Sequence, residues 1–169
     1  MPITSESRII AAPAARVWAA ITDLESAGRW IEAWQRVEYL SSQRDGVGAT
    51  FRAHTDDGLA HDFRISEWVP QEYVAFEPLR QEPHEKGNLI TVKSQAFLLE
   101  PSDDDHTKVT LFATASGHGL RGWLAARFLW PGYQSQGLGA ALDALQALFE
   151  PPQDEDYAPE AEAEGSDEE

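Results

Sequence analysis

The segment HTDDGLAH, from His54 to His61, brings two imidazoles to the arms of one turn. If Asp57-Gly58 forms a two-residue hairpin loop, His54 stands across from His61 and Arg52 across from Phe63, all on one face of a strand pair. Neighbouring imidazoles suit a metal ion or proton exchange with a substrate. A catalytic zinc ordinarily takes three protein ligands, and the sequence places no third His, Asp or Glu beside these two, so no metal is expected. Proton transfer and a plain polar cross-strand pair both remain open, and a three-residue loop would shift the register and part the histidines. No residue is assigned a catalytic role. His84, His106 and His118 read as loop residues.

Arg127 is the next candidate, within GLRGWLAARFLWPGYQ from Gly119 to Gln134. At roughly 100° per residue, Leu120, Trp123, Leu124, Phe128 and Trp130 fall in one broad arc with Arg127 inside it. Arg121 and Arg127 interrupt a segment already too short to cross a bilayer, so no stable membrane insertion is expected. Pro131-Gly132 breaks or kinks the run and lets its first part tilt. A tilted aromatic segment would roof one end of a cavity; the same arc could also simply fill the core. As part of a cavity, Arg127, Arg52 and the histidines would meet a ligand's carboxylate, enolate or carbonyl while aromatic rings hold its body. Alternatively Arg127 buries its stem and wets its head. A buried Arg127 needs a partner, and Glu67, Glu77 or a ligand anion could serve.

Positioning such groups falls to a run of strands. SRIIAA reads as the first, and Pro13 then opens a helix whose Val17, Ile21 and Leu24 share one face. Ser26 can cap a second short helix carrying Trp30 and Trp34. From there the period changes to two. RVEYLS, GATFRAH, HDFRISEWV, EYVAFEP, NLITVKSQAFLLE and HTKVTLFATA are bounded by turn residues such as Asp45-Gly46, Asp57-Gly58, Pro70 and Pro83, which gives about seven antiparallel strands. By strand parity Ile90, Val92, Ser94, Ala96 and Leu98 share one inward face, and Val109, Leu111 and Ala113 another; Phe63, Ile65, Val74 and Phe76 line the adjoining strands. The small Ser94, Ala96 and Ala113 would leave unfilled volume beneath a helix. In the closing helix Leu138, Ala141, Leu142, Leu145, Leu148 and Phe149 lie on one side. The expected class is α+β: a curved antiparallel sheet of about seven strands around a long C-terminal helix, with two short helices after the first strand.

Composition narrows the partners. The 169 residues carry 29 acidic against 13 basic side chains, a formal net charge of -16, which argues against nucleic acid and anionic lipid. The absence of cysteine removes disulfides, thiolate metal sites and a cysteine nucleophile, and suits a cytoplasmic setting. RIIAAPAARVWAAI resembles an export signal only briefly, since Pro13 and Arg16 cut its apolar stretch short. The segment 151–169, PPQDEDYAPEAEAEGSDEE, holds no base and almost no apolar residue. It is expected to be a disordered acidic tail that confers solubility or recruits a protein partner. Gly137-Leu138-Gly139 has no strand before it, so a phosphate role is not expected.

The pattern AAPAARVWAAITDLESAGRW, then RVEYLSSQRDGVGATF, then ISEWVPQEYVAFEP resembles the START-like helix-grip (SRPBCC) superfamily, within it the polyketide cyclase/dehydrase and lipid-transport families. The likeness rests on the Ala12-Pro13 step into Val17-Trp18, Asp23, Trp30, the Gly46-Val47-Gly48 turn and Pro70, and runs from Ile3 to Phe149. Those residues are structural punctuation, so the resemblance speaks to fold more than to activity. It implies a helix-grip ligand-binding domain over residues 1–150 and a hydrophobic small molecule held between sheet and long helix. The expected function is binding or carriage of an aromatic, polyketide, lipid or isoprenoid-like ligand without a cofactor. A cyclase, aromatase or dehydratase is the alternative, and a module resembling chaperone-ATPase activators the second. The expected ligand-binding set is Trp30, Trp34, Arg52, His54, His61, Phe63, Phe76, Ser94, Trp123, Arg127 and Trp130.

Overall fold

The computed structural model describes residues 2–79 and 90–150; His84 and the acidic segment 151–169 lie outside the described residues. The chain runs β1 (Ile3–Ile10), α1 (Ala14–Thr22), a 3-10 turn (Leu24–Arg29), β2 (Trp34–Tyr39), β3 (Thr50–Thr55), β4 (Ala60–Val69) and β5 (Tyr73–Pro78). It continues through β6 (Ile90–Pro101), β7 (Thr107–Gly117), α2 (Gly119–Phe128) and α3 (Trp130–Ala147). The seven strands form one antiparallel sheet in the order β1-β7-β6-β5-β4-β3-β2, so the two chain-first strands end as opposite edges and hairpins join the rest. This is the α+β class that the alternating strands imply.

Local chemistry explains the boundaries. Pro13 caps α1 in extended conformation, where its missing N–H costs nothing. The helix turns Val17, Trp18 and Ile21 into the core. The second short helix is a six-residue 3-10 turn that begins at Leu24 after Asp23, not after Ser26, and Trp34 opens β2 instead of riding on it. In the closing helices the break falls at Leu129, and Pro131 sits in the first turn of α3, where proline is tolerated.

The core lies on the concave face. Phe51, Ile65, Val74, Phe97, Leu99, Val109 and Leu111 meet Val17, Ile21 and Leu24 on one side and Leu138, Leu142 and Leu145 of α3 on the other. Leu138, Leu142 and Leu145 follow the expected helical stripe, whereas Leu148 is 42% exposed. Across the opposite end of the sheet, Arg8 on β1 donates to Asp143 on α3 at 2.6 Å and pins the helix to the edge strand.

Three bulges bend the sheet. The ladders skip Gln35 in β2, Ser66 in β4 and Lys93 in β6, one surplus residue in every second strand. Such an insertion bends the strand that carries it and reverses the parity of all that follows. In β6, Val92 pairs with Ala115, and Ser94 then pairs with Thr114. Gln95, Phe97 and Leu99 therefore continue the concave row, opposite Ala113, Leu111 and Val109. Ser94 turns to the convex face, where its hydroxyl lies 2.7 Å from that of Thr114, and Ala96 and Leu98 turn with it. The parity expected for Ser94, Ala96 and Leu98 is thus reversed by one residue of surplus backbone.

Candidate functional site

A cavity of about 230 Å³ opens between the sheet and α3. Its sheet wall is Phe76, Gln95, Phe97 and Leu111; its helical wall is Gln134, Gly137, Leu138 and Ala141; Leu24, Trp30, Ile31, Ala33 and Trp34 close the third side. Four of the thirteen lining residues are aromatic: Trp30, Trp34, Phe76 and Phe97. Trp30 meets Phe97 edge-on at 5.5 Å, Phe97 meets Phe76 at 6.3 Å, and Phe76 meets Phe51 at 5.7 Å. Phe51 stacks on Phe63 at 5.4 Å, and Phe63 reaches Trp34 at 5.6 Å, which returns the chain of rings to the cavity. Each such pair contributes about 0.5–1.5 kcal/mol beyond burial and fixes ring orientation, so these walls are stiff.

Three of the lining residues carry polar side-chain groups. Gln95 and Gln134 stand on opposite walls. Trp30 is only 3% exposed, and its indole N–H has no hydrogen-bond acceptor among the described residues. Gly137 adds room of another kind. A Cβ built there would meet nothing within 4 Å, yet glycine inside a helix costs about 1 kcal/mol relative to alanine. The helix forgoes that stability at a position that borders the cavity.

The expected residues separate into two groups. Trp30, Trp34 and Phe76 line the cavity, and Phe63 backs it through Trp34 and Phe51. Arg52 and His54 stand on the convex face. The hairpin after β3 has a three-residue loop, Asp56-Asp57-Gly58, closed by Thr55 N–H to Leu59 O at 2.9 Å, with Gly58 at φ +82°. The register accordingly pairs His54 with Ala60, Ala53 with His61 and Arg52 with Asp62. His54 and His61 point to opposite faces, which corrects the cross-strand pair expected from a two-residue turn. His61 continues the concave row at its exposed outer end.

Each convex-face group has a protein partner. Arg52 makes a two-pronged pair with Asp62 at 2.6 and 2.9 Å. His54 Nε2 lies 2.9 Å from Glu38 and 3.2 Å from Arg36, and the hydrogen bond from His54 holds the Glu38 carboxyl below its ordinary value. Glu77, one proposed partner for Arg127, pairs with Arg64. Among the described residues no group of three His, Asp or Glu could hold a metal ion.

The aromatic arc of α2 faces outward. Trp123 is 56% exposed, and Leu120, Leu124, Phe128, Leu129 and Arg127 are exposed with it, while Gly122 and Ala126 are buried. The cause is close backbone contact. A Cβ on Gly117 would lie 2.0 Å from the Gly122 carbonyl oxygen, so α2 docks through its glycine and alanine side and turns its large side chains away. The expected roof over the cavity is therefore not formed by Trp123. Trp130 opens α3, and its side chain lies outside the described residues.

Ile31, Ala33, Gln95, Phe97, Gln134 and Gly137 are cavity residues that sequence reasoning missed. Gln95 and Phe97 are hidden by the β6 bulge. Gly137 does leave a trace, a glycine inside a helical run.

A curved seven-stranded sheet grasping a C-terminal helix over a ring-walled cavity defines the helix-grip class of α+β proteins. Residues 1–150 match the family model described as polyketide cyclase / dehydrase and lipid transport, and the chain belongs to that family. Similar solved structures include the di-domain aromatase/cyclase BexL from the BE-7585A biosynthetic pathway, 14% identical with a TM-score of 0.70 over 89% of this chain. The chain spans about half of that protein, 48%. The Zhui aromatase/cyclase from Streptomyces sp. R1128 is 19% identical with a TM-score of 0.64, covering 87% of this chain and 92% of its own. A protein from Thermobifida fusca is 21% identical with a TM-score of 0.67, covering 88% and 93%. No curated protein matches the chain by sequence. Among the described residues no helix is long and apolar enough to cross a membrane.

Proposed function

We propose that this protein binds or carries a small hydrophobic molecule in the cavity between the sheet and α3, in a cytoplasmic setting suited to its cysteine-free sequence. The observation that carries the reading is the hollow itself, lined by four aromatic rings and two glutamines and filled by no described side chain. Gly137 borders that hollow from α3, with open space where a Cβ would stand. Native mass spectrometry of the protein purified from its own host tests the reading directly, with a co-purifying small molecule as the expected result.

A paired substitution makes the test specific. Gly137→Ala is expected to raise the melting temperature and retain binding. Gly137→Leu is expected to fold and lose it. Retention of the co-purifying molecule by Gly137→Leu would place that molecule elsewhere. Release of the molecule in altered chemical form would move the reading to a cyclase, aromatase or dehydratase; BexL and Zhui are aromatase/cyclases. Such chemistry would have to work through the amides of Gln95 and Gln134 and the indole N–H of Trp30, since no ionisable side chain is among the described lining residues.

A further inference from the structure

The chemistry of the walls narrows the class of occupant, on the reading that the cavity binds a ligand. Size comes first. An apolar cavity of about 150 Å³ holds benzene, and drug-sized ligands fill about 300–1,000 Å³. At about 230 Å³ this space takes one substituted ring or two fused rings, and is too small for a lipid with two acyl chains or a chain of several rings.

Charge comes next. No described residue lining the cavity is ionisable, and Glu38, Arg52, Asp62, Arg64 and Glu77 are paired with one another or with His54 on the other face of the sheet. A carboxylate or ammonium entering the hollow would lose its hydration without meeting a counter-charge, the most expensive form of burial.

Polarity completes the description. Gln95 from β6 and Gln134 from α3 each offer a side-chain N–H₂ donor and a carbonyl acceptor, and neither side-chain amide is hydrogen-bonded to another described residue. Three buried side-chain atoms among the described residues lack a partner, and the Trp30 indole nitrogen is the one that belongs to a cavity-lining residue. We infer that the occupant is a neutral one- or two-ring molecule bearing a hydroxyl or carbonyl group, recognised between the amides of Gln95 and Gln134.

Equilibrium dialysis of the full chain against three probes of one shape tests this: naphthalene, 2-naphthol and 2-naphthoate. The neutral naphthol is expected to bind about tenfold more tightly than naphthalene, the scale of one to two net hydrogen bonds. It is expected to exceed the naphthoate anion by at least as much. The double variant Gln95→Met, Gln134→Met should abolish the preference for naphthol over naphthalene, bringing the ratio of their affinities to about one. Naphthoate binding as tightly as naphthol would overturn the inference, and so would a double variant that keeps the naphthol preference. Should the double variant fail to fold, the ranking on the unaltered protein decides alone. Failure of all three probes to bind would sink the cavity reading together with its refinement. Binding that Gly137→Leu abolishes, but with anion preferred, would sink the refinement alone.

Discussion

Strands β2 to β5 carry two surfaces built on opposite rules. The concave row places Trp34, Phe51, Phe63 and Phe76 ring against ring, with Phe51 fully buried. The convex row of the same strands places Arg36, Glu38, Arg52, His54, Asp62, Arg64 and Glu77 in a ladder of ion pairs. Alternation of side chains at a period of two makes both from one stretch of sequence. Apart from His61, at the exposed outer end of the concave row, the residues of these strands capable of acid-base chemistry are thus adjacent in sequence to the cavity wall and separated from it by the sheet. Nearness in sequence to a site is no measure of membership in it, because one step along a strand is a step through the sheet.

The two surfaces should respond very differently to truncation. Phe51→Ala removes a fully buried ring that touches three others, and is expected to cost about 3–5 kcal/mol in urea denaturation. A loss below 1 kcal/mol would mean that the ring network is not the core. On the convex side, Arg52→Ala breaks a two-pronged but partly exposed pair. Its cost should be a small fraction of that of Phe51→Ala and shrink further in high salt; a salt-independent loss would show that Arg52 acts by packing.

Acid offers a finer separation. His54 hydrogen-bonded to Glu38, with the Arg36 charge beside it, lowers the folded-state pKa of Glu38 below the ordinary 4.5. A depressed carboxylate stabilises the fold fully above its unfolded pKa and loses that contribution as pH falls through the folded value. The melting difference between the unaltered protein and Glu38→Gln should therefore be largest near neutrality and close as pH drops below about 4. A gap that persists in acid would trace to lost shape rather than lost charge. The smallest effect is expected at Trp123→Ala, which removes a side chain that neither lines the cavity nor enters the core. Stability should move by no more than about 0.5 kcal/mol, and a hydrophobic probe should bind as before. Weakened binding would restore Trp123 to the site.

Much of the fold was legible because strand alternation and turn residues repeat their message over many positions. Seven strands, the capped α1 and the Leu138, Leu142, Leu145 stripe each rest on several concordant residues. The site was less legible, because it depends on single-residue offsets that carry no compositional mark. One loop residue more than expected between β3 and β4 separates His54 from His61. One surplus residue at Lys93 exchanges Ser94 for Gln95. The orientation of α2 did have a signal: Gly122, Ala125 and Ala126 form a narrow small-residue face at helical spacing, close after Gly117. The aromatic arc is larger, but close helix-to-strand contact selects the smallest face and not the oiliest.

The skipped residues Gln35, Ser66 and Lys93 suggest how a hollow of this kind changes depth over time. Concavity here comes from spare links in alternate strands, so a single-codon insertion or deletion at any of the three would deepen or flatten the bowl while the hydrogen-bonded rows on either side kept their partners. Volume and lining can then drift independently: the first by indels in the backbone, the second by point changes at rings and amides. A scaffold with those two separate adjustments can fit guests of many sizes without being rebuilt.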